Sequence, residues 1–67
     1  MITLTVNGSS KQLAASTNLV QLLDNMQLTG KRVAIERNGE IVPRSQYVQV
    51  ELLDGDQLEI VVAVGGG

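Results

Sequence analysis

The sequence VAIERNGEIVPR, residues 33–44, decides the fold because it has the pattern of a complete β-hairpin. Residues 33–37 and 40–42 are of types that suit two strands. Asn38-Gly39 between them is a pair that accepts the positive φ angles of a tight hairpin turn. Pro43 cannot donate a hydrogen bond to a sheet, so we expect the second strand to end just before it.

Two further strand patterns lie near the ends of the chain. Residues 2–6 alternate apolar and polar side chains, Asn7-Gly8 supplies a second tight turn, and residues 11–13 can return antiparallel. Residues 57–62 predict the last strand, directly after the turn signal of residues 54–56. The sequence therefore predicts a first hairpin, a second hairpin and a final strand.

One amphipathic helix is predicted between the hairpins. Residues 16–18 offer N-cap side chains, Gly30 is expected to end the segment, and Val20 broadens an apolar stripe. The stripe has the i, i+3, i+4, i+7 spacing of one helical face and consists of Leu19, Leu22, Leu23 and Met26. We expect an α+β fold: a mixed sheet of four to five strands with this one helix packed on one face, and the first and last strands parallel in the middle. The domain would span residues 1–64, followed by a flexible glycine tail, residues 65–67.

Composition excludes several classes of function. The 67 residues include no cysteine and no histidine, so the usual nucleophiles, the usual general base and the commonest metal ligand are missing. The net charge of −2 and the single aromatic residue, Tyr47, do not favour nucleic acid as a partner. No signal peptide or apolar run of about 20 residues is present, so we expect no membrane association and a cytoplasmic location. We expect a protein that is not an enzyme and that binds no metal or cofactor itself.

The chain ends in three glycines, Gly65, Gly66 and Gly67. Glycine has no side chain to pack and can pass through a channel too narrow for other residues, so the tail could carry the terminal carboxylate into a partner's pocket. A carboxylate is a poor acyl donor, and we expect a partner enzyme to activate it with an adenylyl group from ATP and with Mg²⁺. A frayed chain end or an expression remnant is the alternative interpretation of such glycines. Their position directly after a hydrophobic strand favours the functional one.

A few other residues are candidates for partner contact. Val61 and Ala63 should point away from the helix, and we expect Ala34 to join them in an apolar patch on the open side of the sheet. Arg44 could contact a partner carboxylate, although the end of a strand is the favoured explanation of the Pro43-Arg44 pair. Asp54 and Asp56 superficially suggest a calcium loop, but the other ligand positions are absent and a turn is expected.

The sequence resembles the ThiS family, the sulfur carriers of thiamine biosynthesis, over essentially its whole length. The resemblance is carried by residues 17–23, by residues 33–44, and by residues 54–67 with their glycine end. It implies a β-grasp (ubiquitin-like) fold. It also implies that Gly67 is adenylated by an E1-like enzyme, converted to a thiocarboxylate with sulfur from a sulfur-donor enzyme, and used by thiazole synthase to build the thiazole ring. Gly66 and Gly67 match the essential Gly-Gly end of the family. A sulfur carrier for molybdopterin synthesis and a ubiquitin-like protein-conjugation tag remain alternatives.

Overall fold

The computed structural model describes residues 1–63, in which five strands form one sheet in the order β2-β1-β5-β3-β4. The pairing of β1 with β5 is parallel, and the other neighbours are antiparallel. The elements in chain order are β1 Ile2–Val6, β2 Ser9–Leu13, α1 Leu19–Asn25, β3 Val33–Arg37, β4 Glu40–Val42, a 3-10 helix Arg44–Gln46 and β5 Gln57–Val62. The predicted mixed sheet, with the first and last strands side by side, is confirmed.

Both hairpins turn on Asn-Gly pairs, as predicted. Asn7 and Asn38 each have a φ of 52°, and the glycines that follow, Gly8 and Gly39, have φ values of 83° and 88°. Two consecutive positive φ angles give the turn a twist that matches the twist of the strands. Glycine adopts this backbone without strain, and asparagine tolerates it better than most residues.

The first turn is also attached to the last strand. Asn7 N–H donates to Leu58 O at 2.8 Å. Its side-chain amide then bonds both main-chain groups of Ile60: the Ile60 N–H donates to Oδ1 at 2.7 Å, and Nδ2 donates to Ile60 O at 3.1 Å. The amide therefore continues the pairing of β1 with β5 beyond the point where β1 itself ends.

The helix begins with a capping box. Asn18 Oδ1 accepts a hydrogen bond from Gln21 N–H at 2.8 Å, and Gln21 Oε1 accepts one from Asn18 N–H at 2.9 Å. These bonds satisfy two backbone donors at the helix N-terminus. Val20 does not belong to the buried stripe as predicted, because it is 44% exposed. It lies at the margin of a helical face whose centre is filled by Leu19 and Leu22, both fully buried.

The helix ends earlier than predicted, and Gly30 does not end it. Met26 is the C-cap and Gln27, with a φ of 61°, takes the left-handed position that glycine usually occupies. Gln27 N–H donates to Asp24 O at 3.0 Å, and Leu28 N–H donates to Leu23 O at 2.8 Å, which is the Schellman pattern. Gly30, with a φ of 82°, forms a separate turn further on.

The core lies between the helix and one face of the sheet, and residues 47–52 close one end of it. Tyr47 and Leu52 are 6% and 1% exposed. Leu19 N–H donates to Tyr47 O at 3.2 Å, and Leu52 N–H donates to Thr17 O at 2.9 Å, so this crossover is attached to the start of the helix. The buried apolar side chains are Leu4, Val6, Leu13, Leu19, Leu22, Leu23, Ile35, Tyr47, Leu52, Leu58 and Ile60.

Candidate functional site

The last strand, β5, leads toward the C-terminus and is held by its neighbour until the end of the described residues. Val62 is the register partner of Val33 on β3. Ala63 N–H then donates to Arg32 O at 2.9 Å, one step beyond the strand itself. The main chain is therefore fixed to the sheet as far as Ala63.

The predicted tail lies outside the described residues. This applies to Gly67, predicted to be the modified residue, and to Gly65 and Gly66, predicted to pass into a partner. The predicted domain end at residue 64 also lies there. Each of these statements stays a prediction.

The other end of β5 is anchored by Asp56, which is 5% exposed. Its Oδ2 accepts hydrogen bonds from Arg37 Nε and from Leu53 N–H, both at 2.9 Å. Its Oδ1 accepts one from Asn38 Nδ2 at 3.1 Å. Asn38 Oδ1 in turn accepts from Gln57 N–H at 2.9 Å. The carboxylate therefore joins the second hairpin turn, the turn before β5 and the start of β5.

The charge of Asp56 is stabilised by these contacts. Burial by itself raises the pKa of this carboxyl, because the charged form loses water. The hydrogen bonds from Leu53, Asn38 and Arg37, together with the positive charge of Arg37, outweigh that effect and hold the pKa below its usual value. Asp56 is thus a structural anion. The prediction of a turn at residues 54–56 is confirmed, since Asp56 N–H donates to Leu53 O at 3.1 Å across it.

The face of the sheet opposite the helix, called the open face from here on, carries the predicted apolar patch. Val61 and Ala34 are register partners on β5 and β3, and both are exposed, Val61 by 63%. Ala63, also exposed, follows on the same side of the chain two residues later. The structure therefore brings these three residues together. Their contact with a partner stays a prediction.

The open face contains three further residues that the sequence reasoning did not select. Glu36 on β3 has Glu59 on β5 as its register partner on one side and Ile41 on β4 on the other. Ile41 is 67% exposed. Alternation along β4 indicates the position of Ile41. Val42 is the register partner of buried Ile35 and shares its side of the sheet, so Ile41, one residue earlier, must face outward.

Arg44 does not belong to this surface. It lies in the 3-10 helix on the helix side of the sheet and lines a depression there with Val20, Leu23 and Tyr47. The four residues predicted as partner contacts therefore do not form one surface. Sequence reasoning could not separate them, because the side on which Arg44 lies depends on the direction that the chain takes after Pro43.

Two exclusions can be stated for residues 1–63. No group of three acidic, cysteine or histidine side chains in this part of the chain is arranged to hold a metal ion. Its helices are also too short to cross a bilayer.

Comparison with known proteins gives the family. Residues 4–67, which include most of the first hairpin, the helix, the second hairpin and the glycine end, match the ThiS family. The chain belongs to the ThiS family. Among similar proteins is the sulfur carrier protein ThiS of Bacillus subtilis, 45% identical over 65 residues that cover 96% of this chain and 98% of that protein.

A solved structure of a family member has the same fold. The crystal structure of the thiamine biosynthesis protein ThiS from Geobacter metallireducens superposes with a TM-score of 0.83 at 33% identity, covering 98% of this chain and 100% of the other. The predicted β-grasp fold is therefore confirmed. The prediction of a ThiS-family sulfur carrier, and not an enzyme, is confirmed by the family match and the Bacillus subtilis relative.

This ThiS-family chain also resembles part of a larger protein. A thiazole synthase of Paramagnetospirillum magneticum is 47% identical over 64 residues, which are 96% of this chain but only 20% of that protein. The chain thus spans about one fifth of that relative.

Proposed function

We propose that the reactive group of this sulfur carrier is the carboxylate of Gly67. An E1-like enzyme would transfer an adenylyl group from ATP to this carboxylate, with Mg²⁺ stabilising the phosphate charge and pyrophosphate leaving. A sulfur nucleophile delivered by a sulfur-donor enzyme would then displace AMP, leaving a thiocarboxylate. The carrier itself would bind neither ATP nor metal. The observation that carries the proposal is the family match, which includes the glycine end.

The proposed consumer of the thiocarboxylate is thiazole synthase, which would take the sulfur into the thiazole ring. The support is the thiazole synthase of Paramagnetospirillum magneticum, one fifth of which resembles this chain. Joining a carrier segment to an enzyme in one polypeptide raises the effective concentration of one for the other. A separate carrier of the same family would meet the same kind of enzyme by binding. Because the activation consumes ATP, we place these reactions in the cytoplasm.

The open face is the proposed contact for a partner that must reach Gly67. Residues 64–67 can extend by at most about 14 Å. A partner active site that receives the carboxylate therefore lies close to the end of β5, where Val61, Ala63 and Ala34 offer an apolar surface. Arg44, on the other side of the sheet, would contact a different surface.

The test is the intact mass of the carrier after incubation with an E1-like enzyme, ATP, Mg²⁺ and a sulfur donor. We expect an oxygen-for-sulfur exchange in the full chain and no exchange in the variant that lacks Gly67. Far-UV circular dichroism and a urea titration provide the control, because the truncated variant must retain the fold of residues 1–63.

Other outcomes would contradict the proposal. Exchange in a chain whose C-terminal carboxyl is capped as an amide would show that another group reacts. A covalent adduct with lysine side chains of other proteins, without any exchange, would show a conjugation tag.

A further inference from the structure

The open face has two like charges side by side. Glu36 and Glu59 are directly opposite each other on neighbouring strands. Like charges at such positions repel and destabilise a sheet. Within residues 1–63 the ion pair formed is that of Arg37 with Asp56, which leaves both glutamates without a cationic partner there.

The positive side chains of the chain are placed away from the two glutamates. Lys31 and Arg44 line the depression on the helix side of the sheet. Lys11 on β2 is the register partner of buried Leu4, so it follows the helix side of the edge strand. Arg32 precedes β3, and its carbonyl accepts a hydrogen bond from Ala63 N–H. It lies four residues, or about 13 Å along the strand, from Glu36.

The glutamates interrupt an apolar surface. Val61 and Ala34 lie next to them toward the chain end, and Ile41 lies on the far side of Glu36. Val61 and Ile41 are 63% and 67% exposed. Protein interfaces combine apolar contact in the centre with charges that steer encounter and choose the partner. This surface has both components.

The charges also decide what can cover the surface. A symmetric dimer would place the same patch of two copies in contact, so the glutamates of one chain would face those of the other. That arrangement gathers four carboxylates and is disfavoured. A positively charged partner would instead remove the repulsion within the pair as it binds.

We propose that the open face docks on a protein that presents an arginine or a lysine between Glu36 and Glu59 and apolar side chains against Val61 and Ile41. Arginine fits best, because its planar guanidinium can bond two carboxylates at once. This inference rests on the proposed function, since the partner would be the adenylating enzyme. β5 connects this surface directly to the tail that ends in Gly67.

The test compares two double variants that remove the same charge. In Glu36→Gln with Glu59→Gln the pair on the open face is neutralised. In Glu40→Gln with Glu51→Gln two exposed glutamates are neutralised elsewhere, one at the start of β4 and one in the crossover. Thiocarboxylate formation is measured with the adenylating enzyme at several concentrations of carrier and of salt. Urea titrations verify that both variants fold. The variant Glu36→Gln with Glu59→Gln should be at least as stable as the wild type, because it removes the repulsion between the two glutamates.

We expect the open-face variant to raise KM for the carrier about 10-fold, with kcat unchanged and a weaker dependence of KM on salt. The control variant should change KM by less than about 2-fold, as expected of exposed charges outside the contact. Equal KM values for the two variants, or a loss in kcat alone, would overturn the docking inference. Dimer formation through the open face in sedimentation experiments would do the same. Failure of the wild type to be converted at all would instead refute the proposed function.

Discussion

Replacing Asp56 by asparagine tests the anchor at the start of β5. The two side chains have nearly the same shape, but asparagine has one acceptor oxygen and an NH₂ group where aspartate has two acceptors. If the side-chain oxygen of the new asparagine keeps the hydrogen bonds from Arg37 and Leu53, the new NH₂ group faces Asn38 Nδ2, which is also a donor. Asn38 cannot rotate its amide to help, because its Oδ1 already accepts from Gln57 N–H. The opposite orientation of the new amide would be worse, since it faces two donors.

The expected cost follows from these contacts. A buried donor left without an acceptor costs about 1–3 kcal/mol, and the two remaining bonds lose the strengthening that a full negative charge gives. Arg37 is 25% exposed, so only a fraction of the charge contribution counts. We expect Asp56→Asn to lower the free energy of unfolding by about 2–3 kcal/mol at neutral pH. That is about half or more of the roughly 3–5 kcal/mol expected for a domain of this size.

The pH dependence gives a sharper test. Because the contacts lower the pKa of Asp56 in the folded state, their stabilisation is present above the unfolded value of about 3.9 and is lost as the pH falls through the lower folded value. A protonated Asp56 resembles asparagine. The difference in unfolding free energy between wild type and variant should therefore narrow below about pH 4.

Urea titrations followed by far-UV circular dichroism measure this difference at a series of pH values. Asp24→Asn, on the exposed surface of the helix, is the matched control and should stay within about 0.5 kcal/mol of the wild type. Equal stability of Asp56→Asn and wild type at neutral pH would refute the anchor. A large difference in unfolding free energy that does not narrow below about pH 4 would also refute it.

Three further variants test other parts of the structure. Asn18→Ala removes the N-cap acceptor and should lower the unfolding free energy by about 1 kcal/mol in urea; no change would disprove the capping box. Gln27→Gly should raise that free energy by about 0.5–1 kcal/mol, because glycine adopts the left-handed backbone without strain. A decrease would place the helix end elsewhere. Val61→Asp should leave the urea midpoint nearly unchanged and reduce thiocarboxylate formation in the mass assay, and a folded variant with wild-type conversion would remove Val61 from the contact surface.

The sequence predicted those parts of the fold that depend on local patterns. The alternation in residues 2–6 and 57–62 and the two Asn-Gly turns specify strands and hairpins without any long-range information. The helix end was predicted wrongly, since glycine preference pointed to Gly30. A glutamine is tolerated in the left-handed position because the Schellman bonds and the partly buried Leu28 that follow it offset the backbone strain.

The crossover and the role of Asp56 could not be predicted in the same way. Residues 48–52 alternate apolar and polar side chains as a strand does, yet the structure has turns at residues 47–49, and the burial of Tyr47 and Leu52 depends on contacts with the start of the helix. Asp56 was correctly assigned to a turn, yet its burial depends on Arg37 and Asn38, which come from the other hairpin. Interactions between residues that are distant in sequence leave no periodic signal.

The candidate site was predicted in part, for a related reason. The side of the sheet on which Val61 and Ala34 lie follows from alternation alone, and their pairing adds only the register. The same rule applied to Ile41 would have added it to the patch. The conflict between Glu36 and Glu59 needed the register itself, because a shift of one residue would have placed them on opposite faces. Which charges meet is therefore a property of the fold.

The attachments of β5 fit the function proposed for the chain end. Asp56 holds its start, the Asn7 side chain holds both main-chain groups of Ile60, and the Arg32 carbonyl holds Ala63. A group that reacts in another protein's active site must be presented at a constant distance from the surface that this protein recognises. Fixing β5 along its length sets that distance between the open face and the point where the tail begins. Because the Asn7 side chain and the Arg32 carbonyl hold the part of β5 nearest the chain end independently of Asp56, we infer that a change at Asp56 which leaves the chain folded alters conversion of Gly67 much less than a change of charge on the open face.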